Sequence, residues 1–162
     1  MWPPPVEILA TDINQPCIVK ARSGLYSQKI KGNVSPERLR RFFVKEGDGY
    51  RINEFIRQMC MFGEQDVISD APFLDMDLVS CRNLLIYLDT PTQREVLHHL
   101  YDALKPAGFL LLGQAESVMA APELFKQVQR PQRIYSKLQT PEPMHFAPVD
   151  GRRFAQRVTQ SE

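Results

Sequence analysis

The run Leu78-Val79-Ser80-Cys81 passes without a break into Arg82-Asn83, and hydrophobic residues then resume through Leu84-Leu85-Ile86 to Tyr87. A short apolar run bounded by polar residues reads as a buried strand. In open α/β sheets the crevice beyond the carboxyl ends of the strands is where ligands bind. The polar pair at this edge has two readings, a ligand-facing rim or a polar cap on a buried strand, and the pattern favours neither.

The rest of the chain alternates in the same way. Val6 to Thr11 reads as a short buried strand ending at Asp12. A helix from about Pro16 to Ser23 follows, with Asn14 as a plausible N-cap and Gly24 as the stop. Ser35 caps a second helix with Pro36 in its first turn. The β-favouring runs Phe42–Lys45 and Tyr50–Asn53 flank Glu46-Gly47-Asp48-Gly49, a hairpin signal that predicts an inserted subdomain over about residues 40–56. Further strands are predicted at Met59–Phe62, Asp77–Cys81, Phe109–Leu112 (fully buried) and Ile134–Leu138. The strongest helix runs from about Pro91 to Leu104, capped by Thr90, with Val96, Leu97, Leu100, Tyr101 and Leu104 as its apolar stripe. A short helix is expected at Pro122–Gln127. Strands alternating with helices predict a mostly parallel sheet in a three-layer sandwich over residues 1–138. Residues 139–162, rich in Pro, Gln, Arg and Ser, read as a linker or disordered tail.

Composition excludes more than it assigns. A net charge of +1 gives no bulk attraction to nucleic acid or membranes, and no apolar run nears the roughly 20 residues of a membrane span. The three cysteines form no CxxC pair, which fits reduced thiols in the cytoplasm. Adjacent His98 and His99 cannot share a helix face, so no metal site is expected and both read as solvated or half-buried. No GxGxxG or GxxxxGK[ST] phosphate loop is present.

Four ordered segments carry a resemblance: Ala10-Thr11-Asp12-Ile13-Asn14, Ala21-Arg22-Ser23-Gly24-Leu25-Tyr26, Ser80-Cys81-Arg82-Asn83-Leu84-Leu85-Ile86-Tyr87 and Leu104-Lys105-Pro106-Ala107-Gly108-Phe109-Leu110-Leu111-Leu112-Gly113. Together they resemble the catalytic domain of the CheR-type chemoreceptor glutamate methyltransferases. The Phe43–Asp66 stretch is most similar to versions fused to a CheB-type methylesterase and to PAS or histidine-kinase modules. The resemblance implies a Rossmann-like class I methyltransferase fold, S-adenosylmethionine as methyl donor, and receptor helices bearing glutamates as substrate.

It also implies roles. Asp12 would accept hydrogen bonds from the ribose hydroxyls, a task suited to a carboxylate's two oxygens; the alternative is a stabilising charge at a helix N-terminus. Asp66 and Val67 would lie beside the adenine, against the alternative of a plain turn. Arg82 and Asn83 would lie against the cofactor. Tyr87 would steer the substrate carboxylate near the transferred methyl, or else be a half-buried aromatic under the helix. Glu116 matches a family position without an assigned role.

The departures are as informative. The family's first, central strand, with the Gly-x-Glu-Glu-x-Tyr-Ser segment that holds the cofactor's methionine end, lies before the Ala-Thr-Asp motif, yet nine residues precede Ala10. The family's N-terminal helical domain, with its substrate-facing arginine, has no counterpart either. Ala107 stands where glycine is commoner. A fragment with a split sheet is therefore expected. The competing functions are a non-catalytic or degenerate signalling module and a class I methyltransferase with another acceptor.

Overall fold

Local chemistry sets the first elements. Asn14 Oδ1 accepts from the Cys17 amide at 3.4 Å, and Gly24, at φ 62°, ends the helix in the left-handed region. Helix α1 (Gln15–Ser23) thus follows strand β1 (Ile8–Asp12) directly. Ser35 Oγ likewise caps α2 (Pro36–Phe42) through the Arg38 amide at 3.3 Å. The computed structural model describes residues 5–139, which fall into two compact units, 5–65 and 66–139. The expected tail lies, apart from Gln139, outside the described residues.

In the first unit β1 pairs in parallel with β5 (Cys60–Glu64), from Ile8↔Cys60 to Asp12↔Glu64. Arg22 from α1 donates to the Phe62 carbonyl at 2.8 Å and fastens the helix to β5. The predicted hairpin forms as β3 (Phe43–Glu46) and β4 (Gly49–Ile52), closed by a two-residue turn with Gly47 at φ 54°. A third strand, β2 (Leu25–Ser27), pairs with β4. Gly49 is required there, because a Cβ would stand 2.5 Å from the Tyr26 carbonyl. Arg51 pairs with Glu46 and donates to the Ser23 carbonyl at 2.6 Å, tying this small sheet to the end of α1. Helix α3 (Glu54–Gln58), capped by Asn53, leads into β5. The β1 strand, expected to be buried, has no buried residue, and Val6 and Ile8 are exposed.

In the second unit the sheet order is β6 (Met76–Cys81), β7 (Leu104–Leu112), β9 (Ile134–Lys137), β8 (Phe125–Gln129). Only β6–β7 is parallel; β7–β9 and β8–β9 are antiparallel, so this sheet is mixed rather than mostly parallel. Helix α4 (Thr90–Ala103) buries Val96, Leu97 and Leu100 against Leu110, Leu112, Phe125 and Tyr135. Strand β7 is buried on one face only. Leu110 and Leu112 point inward, while Phe109 and its register partner Leu78 are 43% and 58% exposed, as the two-residue strand period requires. Two of the expected three layers are built here.

Three further expectations change. The N-cap of α4 is Asp89, whose Oδ1 accepts from the Thr92 amide at 3.0 Å; Thr90 is already helical. The segment expected as a helix at Pro122–Gln127 enters strand β8 instead, because Phe125 and Lys126 pair with Lys137 and Ser136. His99 is buried rather than solvated or half-buried, its Nδ1 2.9 Å from the Val67 carbonyl. Among the described residues β1 pairs only with β5, and β6 pairs only with β7, in separate sheets.

Candidate cofactor site

The expected site residues divide between the two units. Asp12, in the first, is the last residue of β1 and is exposed. Its Oδ1 accepts from the Asn14 amide at 2.8 Å, which aligns the entry into α1. Its Oδ2 has no partner among the described residues. A strand-end carboxylate with one oxygen anchored and one open suits hydroxyl donors.

The other five lie in the second unit. Asp66 opens a tight turn: its Oδ1 accepts from the Ile68 amide at 2.9 Å and its Oδ2 from Ser69 Oγ at 3.0 Å. The Ile68 amide and the Ser69 hydroxyl hold its carboxyl below the usual carboxylate range. The turn alternative for Asp66 is thus occupied, although each oxygen retains a second lone pair. Val67 packs partly buried on the core cluster.

Arg82 and Asn83 follow β6 directly, and both are exposed. Asn83 adopts φ 59°, a left-handed conformation that few non-glycine residues take but that Asn tolerates. Tyr87 closes a 3-10 turn, Leu85–Tyr87, and is 79% exposed, so it is not an aromatic tucked beneath the helix. Between them Leu85 is buried and anchors the loop in the core. Gln93 of α4 donates to the carbonyls of Leu85 and Leu88, both at 3.0 Å, and fixes the turn that carries Tyr87.

Two residues of this region have the opposite character. Cys81 is buried and its thiol is pushed up to about 11, first by burial and then by the Glu116 charge. It stays a protonated packing residue and is no nucleophile. Glu116 is 3% exposed and accepts from four backbone amides, those of Asn83, Leu84, Leu85 and Gly113. Sequence reasoning gave Glu116 no role and missed Gln93. An acidic residue standing among small residues just after an apolar strand was the available signal for Glu116. No such signal marks Gln93, whose partners are backbone carbonyls.

No group of three or more possible ligating side chains marks a metal site among the described residues. No described helix is long and apolar enough to cross a membrane.

Comparison with known proteins agrees with this architecture. Residues 3–134 match the family described as CheR methyltransferase, SAM binding domain. Chemotaxis protein methyltransferase 1 of Pseudomonas aeruginosa is 35% identical over 127 residues, which are 76% of this chain and 46% of that protein. Chemotaxis protein methyltransferase 1 of Vibrio cholerae is 34% identical over 138 residues, 83% of this chain and 50% of that one. An uncharacterized 104.1 kDa protein of Rhodobacter capsulatus is 34% identical over 158 residues, 98% of this chain but 16% of its own length. The chain thus spans about half the length of the chemotaxis methyltransferases it matches, and less of the larger relative. Among solved structures, the N-methyltransferase NodS from Bradyrhizobium japonicum, bound to S-adenosyl-L-homocysteine, aligns with a TM-score of 0.50 at 15% identity. That alignment covers 84% of this chain and 67% of NodS, a likeness of fold. The fold is a class I S-adenosylmethionine-dependent methyltransferase fold, and the chain belongs to the CheR methyltransferase family through its SAM-binding domain.

Proposed function

We propose that this chain is the cofactor-binding part of a protein-glutamate O-methyltransferase that acts on chemoreceptors. The observation that carries the reading is the exposed Arg82–Asn83 pair at the carboxyl end of β6, in a chain whose residues 3–134 match the CheR family. Asp12 receives the ribose hydroxyls, with its open Oδ2 as first acceptor. Arg82 and Asn83 lie against the cofactor, and Val67 and Asp66 border the adenine. S-adenosylmethionine, when bound, supplies an activated methyl group on a sulfonium.

The chain's own task is then positioning. A receptor glutamate is ionised at neutral pH, with an ordinary pKa of about 4.3, so no general base is needed. Tyr87, exposed and held by Gln93 through its turn, orients the acceptor carboxylate by a hydrogen bond from its hydroxyl. Holding acceptor and donor in line can take roughly 7–11 kcal/mol off such a barrier.

The partners on this reading are glutamate-bearing receptor helices in the cytoplasm, where the three unpaired cysteines stay reduced. Fused or associated CheB-type methylesterase and PAS or kinase modules belong to the same reading; the matched region is 16% of the 104.1 kDa Rhodobacter relative, so that protein has room for further domains.

The test incubates the chain with methyl-tritiated S-adenosylmethionine and a glutamate-rich receptor helix. Label that is released as methanol by mild base, and that falls in Tyr87→Phe, is the expected result. Base-stable label would assign a different acceptor. Cofactor binding without transfer would favour the non-catalytic module.

A further inference from the structure

We propose that Glu116 is a positioning residue for the cofactor site, an internal anion whose carboxylate moulds the Arg82–Leu85 loop into its binding conformation. The inference rests on the reading that Arg82 and Asn83 meet the cofactor.

The geometry is unusually complete. Glu116 Oε1 accepts from the amides of Leu84 at 2.7 Å and Leu85 at 2.8 Å. Its Oε2 accepts from the amides of Asn83 at 2.9 Å and Gly113 at 2.7 Å. Three consecutive amides converging on one anion form the kind of concave nest that elsewhere holds a phosphate or another free anion. Here the chain fills it with its own side chain. Each bond is charge-assisted and shielded from water, which makes it stronger than a neutral pair.

The nest exists because Asn83 turns left-handed at φ 59°. Without an acceptor, three amides would face inward unpaired, and Asn83 would relax toward the ordinary right-handed or extended regions. Its side chain, and that of Arg82 beside it, would then leave the rim.

Position in the fold reinforces the point. Glu116 follows β7 as Asn83 follows β6, and the two strands are register partners up to Cys81↔Leu112. One carboxylate therefore locks two adjacent strand ends at the edge where this fold class binds ligands. Gly113 is part of the device: a Cβ there would overlap Glu116 Oε2 and stand 2.9 Å from Asn83 Oδ1. Glu116 itself, buried beneath the loop, touches no ligand.

The test uses the whole chain as wild type, Glu116→Gln, Glu116→Asp and Gly113→Ala. Two quantities are read: affinity for S-adenosylhomocysteine, and amide exchange at Asn83, Leu84, Leu85 and Gly113 relative to core amides of Val96 and Leu110. Glu116→Gln is expected to weaken affinity at least tenfold and to lose protection at the four amides while the core stays protected. Glu116→Asp should recover part of both. If Glu116→Gln does not fold, Gly113→Ala, which keeps the charge and displaces it, carries the same expectation. Unchanged exchange at the four amides overturns the proposal. So does lost protection with unchanged affinity, which would leave Glu116 a structural residue only. A wild-type chain that is folded but binds no S-adenosylhomocysteine removes the Arg82–Asn83 reading, and the positioning role with it.

Discussion

The loop Lys105–Gly108 sets the register on which the candidate site depends, and two neighbouring substitutions there should act in opposite directions. Pairing of β6 with β7 jumps from Met76↔Leu104 to Leu78↔Phe109, so three extra residues are looped out of β7. Ala107 sits at the apex with φ 64°. For a residue with a Cβ, the left-handed region costs roughly 1–2 kcal/mol. Ala107→Gly removes that strain but returns roughly 0.4–1 kcal/mol as extra freedom of the unfolded chain. The net is a gain of about 0.5–1 kcal/mol. Gly108 is the reverse case. A Cβ there would stand 3.0 Å from the Lys105 carbonyl and 3.1 Å from that of Met76, both backbone, and 3.0 Å from Leu104 Cδ2. Overpacking of that kind costs roughly 1–3 kcal/mol, offset by the roughly 0.4–1 kcal/mol that a lost glycine removes from the unfolded chain. Gly108→Ala should therefore destabilise by about 1 kcal/mol. For a chain of this size 1 kcal/mol moves the thermal midpoint by roughly 2–4 °C. Far-UV circular dichroism during heating and urea titration should place Ala107→Gly above the wild type and Gly108→Ala below it. A lower midpoint for Ala107→Gly, or two shifts of the same sign, would refute the conformational argument.

Other expectations are simpler. Leu97→Ala removes a fully buried side chain beneath the sheet and should cost about 2–5 kcal/mol by urea unfolding. Asp89→Ala should lower the thermal midpoint while Thr90→Ala leaves it unchanged, because Asp89 is the cap of α4. Glu116 also sets an acid limb: burial raises its carboxyl, but the four backbone amides together outweigh this and hold it below the usual range. Its unfolded form thus binds protons first, so its stabilisation is present above about pH 4.3 and is lost as pH falls through the lower native value. The urea midpoint of the wild type should therefore drop more steeply between about pH 5 and 3 than that of Glu116→Gln.

What was legible in the sequence was whatever is decided within one turn of chain. Asn14 and Ser35 announce their helices because each side chain caps an amide three residues on, and Pro36 fits the first turn that follows Ser35. Gly47-Asp48 announces its hairpin for a similar reason. Asp12 and Arg82-Asn83 were legible as strand ends, since an apolar run stops there. The errors arise where a distant partner decides. Residues Phe125–Gln129 have no strand signal of their own and become β8 by pairing with Ile134–Lys137. Leu25–Ser27 becomes a strand through β4, half a subdomain away in sequence. Asp89 and Thr90 are both good caps, and only the position of the first helical turn separates them. Glu116 was noticed but given no task, because three of its four amide partners lie more than thirty residues earlier in the chain.

On the proposed reading, Asp12 and the Arg82–Asn83 loop bind the cofactor of a CheR-family methyltransferase. Isothermal titration of the folded chain with S-adenosylhomocysteine tests this most directly. Saturable one-to-one binding, weakened at least tenfold in Asp12→Ala without loss of folding, is the expected result. A folded wild-type chain that releases no binding heat, or an Asp12→Ala variant of unchanged affinity, would contradict it.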